Sequence, residues 1–308
     1  MSWPASVGLR WLKAARPGFL AVTLVATVLG LSVAWACGSP VEWRTAVAAV
    51  VLALLTHAAV NLHNDWGDAA VGSDALNTGR IAPFTGGSRA VQDGVFSPEQ
   101  LHQAVKVLAT VVIGGGVLLS ALAGPGLLAV GLAGLTLGWA YSQPRVALMS
   151  RGWGEPAVAM GWWLVVVGAD YVQRHAFSAI AAIAGVSPAL LIAAVLWIAQ
   201  FPDAEADRSA GKHTLVVRLG EVRAALVYAL IVLAAHAWLA LWWWADWLPT
   251  AAWWAAGSLP LSLAAATLLR RHARAPERLR AAIVLTLLAA LMHGGLLTAA
   301  FVRVATLR

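Results

Sequence analysis

Nine stretches of about 20 predominantly apolar residues fill this chain, a pattern that suits lipid far better than water. They run approximately from 16 to 37, 43 to 64, 100 to 122, 125 to 141, 154 to 171, 178 to 201, 222 to 245, 250 to 270 and 281 to 303. A hydrocarbon core of about 30 Å is crossed by roughly 20 residues of helix. Inside that core each backbone N–H and C=O needs a partner within the segment, which a helix supplies. The expected fold is therefore all-α: a polytopic membrane protein with nine transmembrane helices embedded in the lipid bilayer. Composition agrees, since only 11% of the residues are charged, against roughly 25% in an ordinary soluble domain.

The first run follows Arg10 and Lys13 and ends in Ala34-Trp35-Ala36-Cys37, which loosely imitates a secretory processing site. It begins late and is long for a signal segment, so it is expected to be a membrane helix. The single cysteine, Cys37, excludes an intramolecular disulfide and a cysteine-based metal cluster. The formal charge of +7 does not point to nucleic acid, because the basic residues sort by side instead of clustering with aromatics. With the nine runs placed alternately, Arg10, Lys13, Arg16, Arg80, Arg89, Arg145, Arg151, Arg208, Lys212, Arg218, Arg223 and the arginines from 270 to 280 share one face. Arg44, Arg174, Arg303 and Arg308 take the other. By the positive-inside rule the first face is cytoplasmic, which predicts an inner-membrane protein with its N-terminus inside and its C-terminus on the opposite side. Most of the 17 tryptophans fall near predicted helix ends and read as interfacial anchors.

Acids are scarce, 14 in all, and they gather just past the ends of two apolar runs. Asn64, Asp65 and Asp68 lead on to Asp74, and Asp203 is followed by Asp207. Carboxylates three or four residues apart share a helix face. Four predicted helices separate the clusters, so both fall on the cytoplasmic side, and the arrangement suggests a tandem repeat with the ninth helix added. Hard divalent cations take oxygen ligands and often bridge a few carboxylates to a substrate's phosphates. The two clusters are thus expected to converge on a Mg²⁺-diphosphate, with Arg208 and Lys212 as partners of the leaving group. Acids merely solvated in a cytoplasmic loop, and a cation transporter, are the other readings. Transporters, however, place ionisable groups near mid-membrane. Between the clusters, Gly79 to Arg89 is broken by glycines and a proline. It reads either as a flexible lid or as a backbone cradle for phosphate oxygens flanked by Arg80 and Arg89.

Asn61-Leu62-His63-Asn64-Asp65-Trp66-Gly67-Asp68 with Gly72-Ser73-Asp74, and Asp203-Ala204-Glu205-Ala206-Asp207-Arg208 with Gly211-Lys212-His213-Thr214-Leu215, resemble the two Asp-rich motifs of the UbiA superfamily of intramembrane prenyltransferases. Lesser matches are Arg16-Pro17, Tyr141 and the run Arg151-Gly152-Trp153-Gly154-Glu155. The spacing to Asp74 and the stretch from Gly211 to Gly220 are most similar to the branch that prenylates 1,4-dihydroxy-2-naphthoate in menaquinone synthesis. The resemblance covers nearly the whole chain and implies one transmembrane domain over 1–308, with the helices bundled around a central intramembrane cavity. It further implies a polyprenyl diphosphate donor, an aromatic acceptor and Mg²⁺ held by Asn64, Asp65, Asp68, Asp74, Asp203 and Asp207. Asp68 and Asp203 are the expected catalytic acids, and Tyr141 is a ring that can face an allylic cation. Arg16, Arg89, Arg145, Arg208 and Lys212 are expected to bind the diphosphate.

Three positions depart from the family pattern: Gln200 stands where asparagine is common, Pro202 where an arginine is frequent in the naphthoate branch, and Ala147 where a lysine is usual, with Arg145 two residues earlier. They leave open a different acceptor, such as 4-hydroxybenzoate, haem or a glycerol phosphate ether, and a non-catalytic polyprenyl-lipid binder. His57 and His63 are expected to pack or cap, Glu155 to complement a helix dipole, and Asp170 to lie on the far face, unrelated to the site.

Overall fold

The computed structural model describes residues 3–308. A short α1 (Val7–Ala14) leads into α2 (Pro17–Ala36), α3 (Trp43–Val71) and a single turn, α4 (Ser73–Leu76). A long loop then reaches α5 (Pro98–Ala123), α6 (Gly126–Ser142), α7 (Gly154–Arg174) and α8 (Ala179–Ser209). After α9 (Leu215–Leu219) and α10 (Glu221–Trp244), a 3-10 segment, Thr250–Ser258, continues into α11 (Leu259–His272), and α12 (Arg280–Thr306) follows. Each of the nine apolar runs is helical, and no strand occurs among the described residues. Seven helical segments are long and apolar enough to cross a membrane, while Gly126–Ser142 is apolar but shorter. Helix α7 carries Glu155, Asp170 and Arg174, so nine crossings do not follow from length and hydropathy alone.

Local chemistry sets where the helices begin. Pro17 opens α2, where its missing N–H costs nothing. Ser97 caps α5 in a reciprocal box with Gln100, and Ser178 and Thr214 cap α8 and α9. Two helices run further than the apolar pattern predicts. Helix α3 continues past residue 64 to Val71, where Gly72 ends it in the left-handed conformation at φ 82°. Helix α8 continues past residue 201 through Pro202 to Ser209. Polar residues sustain a helix as readily as apolar ones where its apolar stem is already packed, and one proline removes only one ladder bond. The consequence is functional: all four acids Asp65, Asp68, Asp203 and Asp207 sit on rigid helix, not in loops.

Helix α2 packs against α7 and α12. A Cβ on Gly30 would collide with the Val166 carbonyl and stand 2.7 Å from Ala169 Cβ, the close backbone approach that small residues permit between helices in lipid. The half of the bundle formed by α8, α10, α11 and α12 is solid and held by polar contacts at depth. Ser187 Oγ meets His293 Nε2 at 2.9 Å, Ser258 Oγ meets both His293 Nδ1 and His236 Nε2 at 3.0 Å, and Tyr228 meets Thr286 at 2.6 Å. At the end of α7 remote from the acidic clusters, Arg174 binds Asp170 through two bonds of 3.0 and 2.9 Å, which accounts for Asp170 without any part in the site. The other half of the bundle, between α2, α3, α5, α6, α7 and α8, encloses a cavity.

Candidate active site

The cavity, of about 660 Å³, begins among the acids and runs into the apolar interior. Asn64, Asp68, Asp74, Asp203 and Asp207 line its mouth together with Arg16 and Lys212. Deeper, the wall is Val22, Leu52, Val60, Val112, Val195 and similar side chains. Ile113, Val117, Leu128 and Leu132 line it too and are 48–69% exposed on the outer flank of α5 and α6, which makes that side of the cavity continuous with an apolar surface.

Solvated acids are ruled out by burial: Asp65, Asp68, Asp74 and Asp207 are 2–7% exposed. Carboxylates this deep need compensation, and the structure supplies it across the bundle. Arg16, at the turn between α1 and α2, pairs with Asp65 and reaches Asn64 Oδ1 at 3.2 Å. Lys212, just after α8, lies 2.5 Å from Asp68 and 3.5 Å from Asp207. Asn64 Nδ2 donates to Asp68 Oδ2 at 3.2 Å. The two acidic clusters therefore meet at one end of the bundle. Burial would discharge Lys212, but Asp68 and Asp207 hold its charge above the ordinary range; Asp65, Asp74 and Asp68 do the same for buried Arg16. At Asp74 the balance is reversed: burial, then repulsion from Asp68 and Asp65, outweigh the attraction of Arg16 and Lys212 and push its carboxyl up to about 7.

The Gly-rich loop bridges the clusters. Gly86 N–H donates to Asp203 Oδ2 at 3.0 Å and Ser88 N–H to Asp65 Oδ1 at 3.2 Å, while the Ser88 hydroxyl binds Asp65 Oδ2. Gly87, at φ 65°, approaches so closely that a Cβ would stand 2.6 Å from Asp74 Oδ2. Arg89 holds the loop down through the Asp74 carbonyl at 2.8 Å. Asn77 Nδ2 donates to Asp203 Oδ1 at 2.6 Å.

Five carboxylates thus face two cations, and Asp74 Oδ2 is buried without a hydrogen-bond partner. Both features fit a divalent cation. Among the described residues no three acidic or histidine side chains are gathered as ligands for one ion.

The family model for UbiA prenyltransferases matches residues 23–291. The chain belongs to the UbiA prenyltransferase family. It is 32% identical over 238 residues, 75% of each chain, to a 1,4-dihydroxy-2-naphthoate octaprenyltransferase of Escherichia coli (strain K12). A protein of the same name from Mycobacterium leprae (strain TN) is 29% identical over 226 residues, 73% of this chain and 74% of that one. Among solved structures, an apo UbiA homolog from Aeropyrum pernix K1 superposes with a TM-score of 0.70 at 17% identity, over 89% of this chain and 96% of that one. A UbiA homolog from Archaeoglobus fulgidus bound to GPP and Mg²⁺ gives 0.63 at 14%, over 96% and 98%. This member of the UbiA family is a multi-pass membrane protein and a prenyltransferase.

Of the expected site residues, Asn64, Asp68, Asp74, Asp203, Asp207, Arg16, Lys212 and Tyr141 line one cavity, and Asp65 sits directly behind Arg16 and Ser88. Arg89 serves the loop. Arg145 is exposed away from the cavity, its carbonyl bonded to Arg151. Arg208 turns outward to Glu205 at 2.7 Å and Glu221 at 3.5 Å, because residue 208 follows Asp207 by about 100° of helix rotation. His57 lines the cavity and bonds Thr23 Oγ1 at 2.8 Å; His63 stacks on Trp66. Sequence reasoning missed Asn77 and Ser88: the only signal for Ser88 was membership of the loop marked by its glycines, and Asn77 lies two residues before that loop, at the end of α4. It also missed the pairing of Glu155 with Gln200 at 2.7 Å, residues 45 apart that no local pattern links.

Proposed function

We propose that this enzyme transfers a polyprenyl group from polyprenyl diphosphate to 1,4-dihydroxy-2-naphthoate, with Mg²⁺, at the cytoplasmic face of the inner membrane. The observation that carries the reading is the cavity itself: an acidic, cation-flanked mouth on an apolar chamber, which is the division of polarity in a prenyl diphosphate. The naphthoate acceptor is taken from the curated relatives, and the cytoplasmic orientation from the basic residues. Arg280, which reaches the Ala82 carbonyl at 3.1 Å, and Arg218, bonded to the carbonyls of His213 and Arg151, lie at the acidic end. The N-terminus is then cytoplasmic and the C-terminus opposite.

Asn64, Asp68, Asp74, Asp203 and Asp207 would hold the metal, with Asp65 orienting Arg16 and Ser88 beside them. When bound there, Mg²⁺ would supply positive charge to offset the charge that develops on the diphosphate as the allylic C–O bond breaks. Arg16 and Lys212 transfer their hydrogen bonds from the acids to the same oxygens, an exchange of partners that leaves no charge uncompensated. The isoprenoid tail lies along the apolar wall. Tyr141 turns its ring face to the allylic cation, and the loop from Gly86 to Ser88 covers the mouth so that water does not capture it. The electron-rich ring attacks, and the attacked carbon regains aromaticity by losing its proton or, where that carbon bears the carboxylate of a naphthoate, by losing CO₂ in place of a proton.

The test is product formation by purified protein given polyprenyl diphosphate and Mg²⁺, with 1,4-dihydroxy-2-naphthoate and 4-hydroxybenzoate offered separately, beside Asp68→Ala and Asp203→Ala. Prenylated naphthoate that disappears in both variants is expected. Transfer only to 4-hydroxybenzoate, or no diphosphate release from protein that still binds the donor, overturns the assignment.

A further inference from the structure

Glu155, in the first turn of α7, and Gln200, on α8 and in the cavity wall, form a polar pair that the acidic clusters do not use. Gln200 Nε2 donates to Glu155 Oε1 at 2.7 Å. The residues are 4% and 8% exposed, and Gln200 lines the cavity. Glu155 Oε2 and Gln200 Oε1 are both buried and neither has a hydrogen-bond partner. A buried acceptor left unmet is costly, and two side by side with no donor make a locus complementary to a hydrogen-bond donor.

Position narrows what that donor is. Gln200 precedes Asp203 by three residues and Asp207 by seven, so all three share one face of α8. Helix rise puts Gln200 about 4.5 Å deeper than Asp203. Beyond it that face is Ile192, Val195 and Leu196. On this face of α8 Gln200 is thus the polar rung between the diphosphate end and the apolar wall. A Cβ on Gly154, the residue before Glu155, would stand 3.7 Å from the Tyr141 ring, which sets the pair beside the ring expected to face the reacting carbon. A carboxylate accepts hydrogen bonds and cannot donate them. Glu155 therefore draws the NH₂ of Gln200 to itself and leaves the carboxamide oxygen for the ligand.

We propose that Gln200 Oε1 accepts the hydrogen bond of a ring hydroxyl on the aromatic acceptor, with Glu155 as the positioning residue that fixes the carboxamide. The inference rests on the reading of this chain as an aromatic prenyltransferase. It makes Gln200 a determinant of acceptor choice: a hydroxylated ring is bound and its electron density raised, and an O-alkylated ring is refused.

The experiment compares wild type, Gln200→Met and Glu155→Gln with 1,4-dihydroxy-2-naphthoate and its mono-O-methyl ethers, with KM for the polyprenyl diphosphate and the thermal midpoint in detergent as controls. Wild type is expected to prefer the free hydroxyl over at least one ether by at least about tenfold in kcat/KM, as sites built around a hydroxyl do. In Gln200→Met the acceptor KM rises about tenfold, that preference falls toward one, and the donor KM is unchanged. Glu155→Gln, which lets the carboxamide turn either way, lowers the preference severalfold at unchanged donor KM, and it carries the test if Gln200→Met fails to fold. A hydroxyl-to-ether ratio that stays at the wild-type value in the variants, or a loss confined to the donor KM, overturns the proposal. A wild-type enzyme that prenylates no aromatic acceptor overturns instead the reading on which it rests.

Discussion

Lys212→Met removes the cation that two buried acids share. Lys212 Nζ lies 2.5 Å from Asp68 and 3.5 Å from Asp207, and its side chain is 8% exposed. At an effective dielectric constant of about 20, unit charges at such distances attract by roughly 5–7 kcal/mol before desolvation is counted. Removing one partner from a buried ion pair costs about 3–5 kcal/mol, because the remaining charge has no water to return to. The variant is therefore expected to melt on the order of 10 °C below wild type in metal-free buffer. The stranded carboxylates now favour any other cation, so Mg²⁺ should bind more tightly to Lys212→Met than to wild type, and millimolar Mg²⁺ should raise the variant's midpoint by more. Diphosphate loses a donor, so the KM for polyprenyl diphosphate should rise at least tenfold. Thermal melts across a Mg²⁺ titration, paired with donor kinetics, separate the two effects. Equal Mg²⁺ shifts in both proteins, or a variant as stable as wild type without metal, would refute the idea that Lys212 stands in for metal charge.

Three further outcomes follow from the same geometry. Asp74, pushed up to about 7 by burial and by its acidic neighbours, is neutral below that pH and must lose a proton to ligate. Mg²⁺ affinity should accordingly climb as pH rises through about 7, and calorimetry in buffers of different ionisation enthalpy should detect close to one proton released at pH 6 and little at pH 8; no release at pH 6 would count against Asp74 as a ligand. Gly87→Ala and Gly94→Ala share the cost of a positive φ, about 1–2 kcal/mol, but only the former drives a Cβ toward Asp74 and Asp65. Activity should fall at least tenfold in Gly87→Ala and stay near wild type in Gly94→Ala, and equal losses would remove the loop's seat on the acids as the cause. Gly30→Ala overpacks the α2–α7 contact and should cost about 1–3 kcal/mol, read as a lower midpoint in detergent; an unchanged midpoint would mean that the two helices part freely.

Much of the fold was legible because lipid imposes a coarse and repetitive code. A run of apolar residues long enough to cross the bilayer can satisfy its backbone only as a helix, and each of the nine runs is one. The code fails at helix ends beyond the hydrocarbon. Nothing in hydropathy tells Asp65 and Asp68 from loop residues, yet α3 carries them for almost two turns past residue 64, and α8 passes through Pro202 to carry Asp203 and Asp207. Spacing was the better guide there, since residues three or four apart matter only if the helix continues.

The diphosphate-binding set shows the same limit from the other side. Charge and proximity in sequence favoured Arg208 as much as Lys212, the family resemblance added Arg145, and the backbone decided among them. Arg208 is held on the helix and rotates away from the face of Asp207, whereas the chain leaves the helix after Ser209, turns at Gly211, and folds Lys212 back onto Asp68, 144 residues earlier in the sequence. Arg16 reaches Asp65 in the same way, from the turn between two helices. Both cations at the cavity mouth thus come from helix breaks and the three acids they pair with, Asp65, Asp68 and Asp207, from continuous helix. Such a division lets the anionic side of the site stay rigid while its counter-charges retain the freedom to change partners. If that freedom matters, extending α8 through the break, as in Gly211→Ala, should leave the acids in place and yet lower turnover at saturating donor. Unchanged turnover would mean that the cations act where they stand.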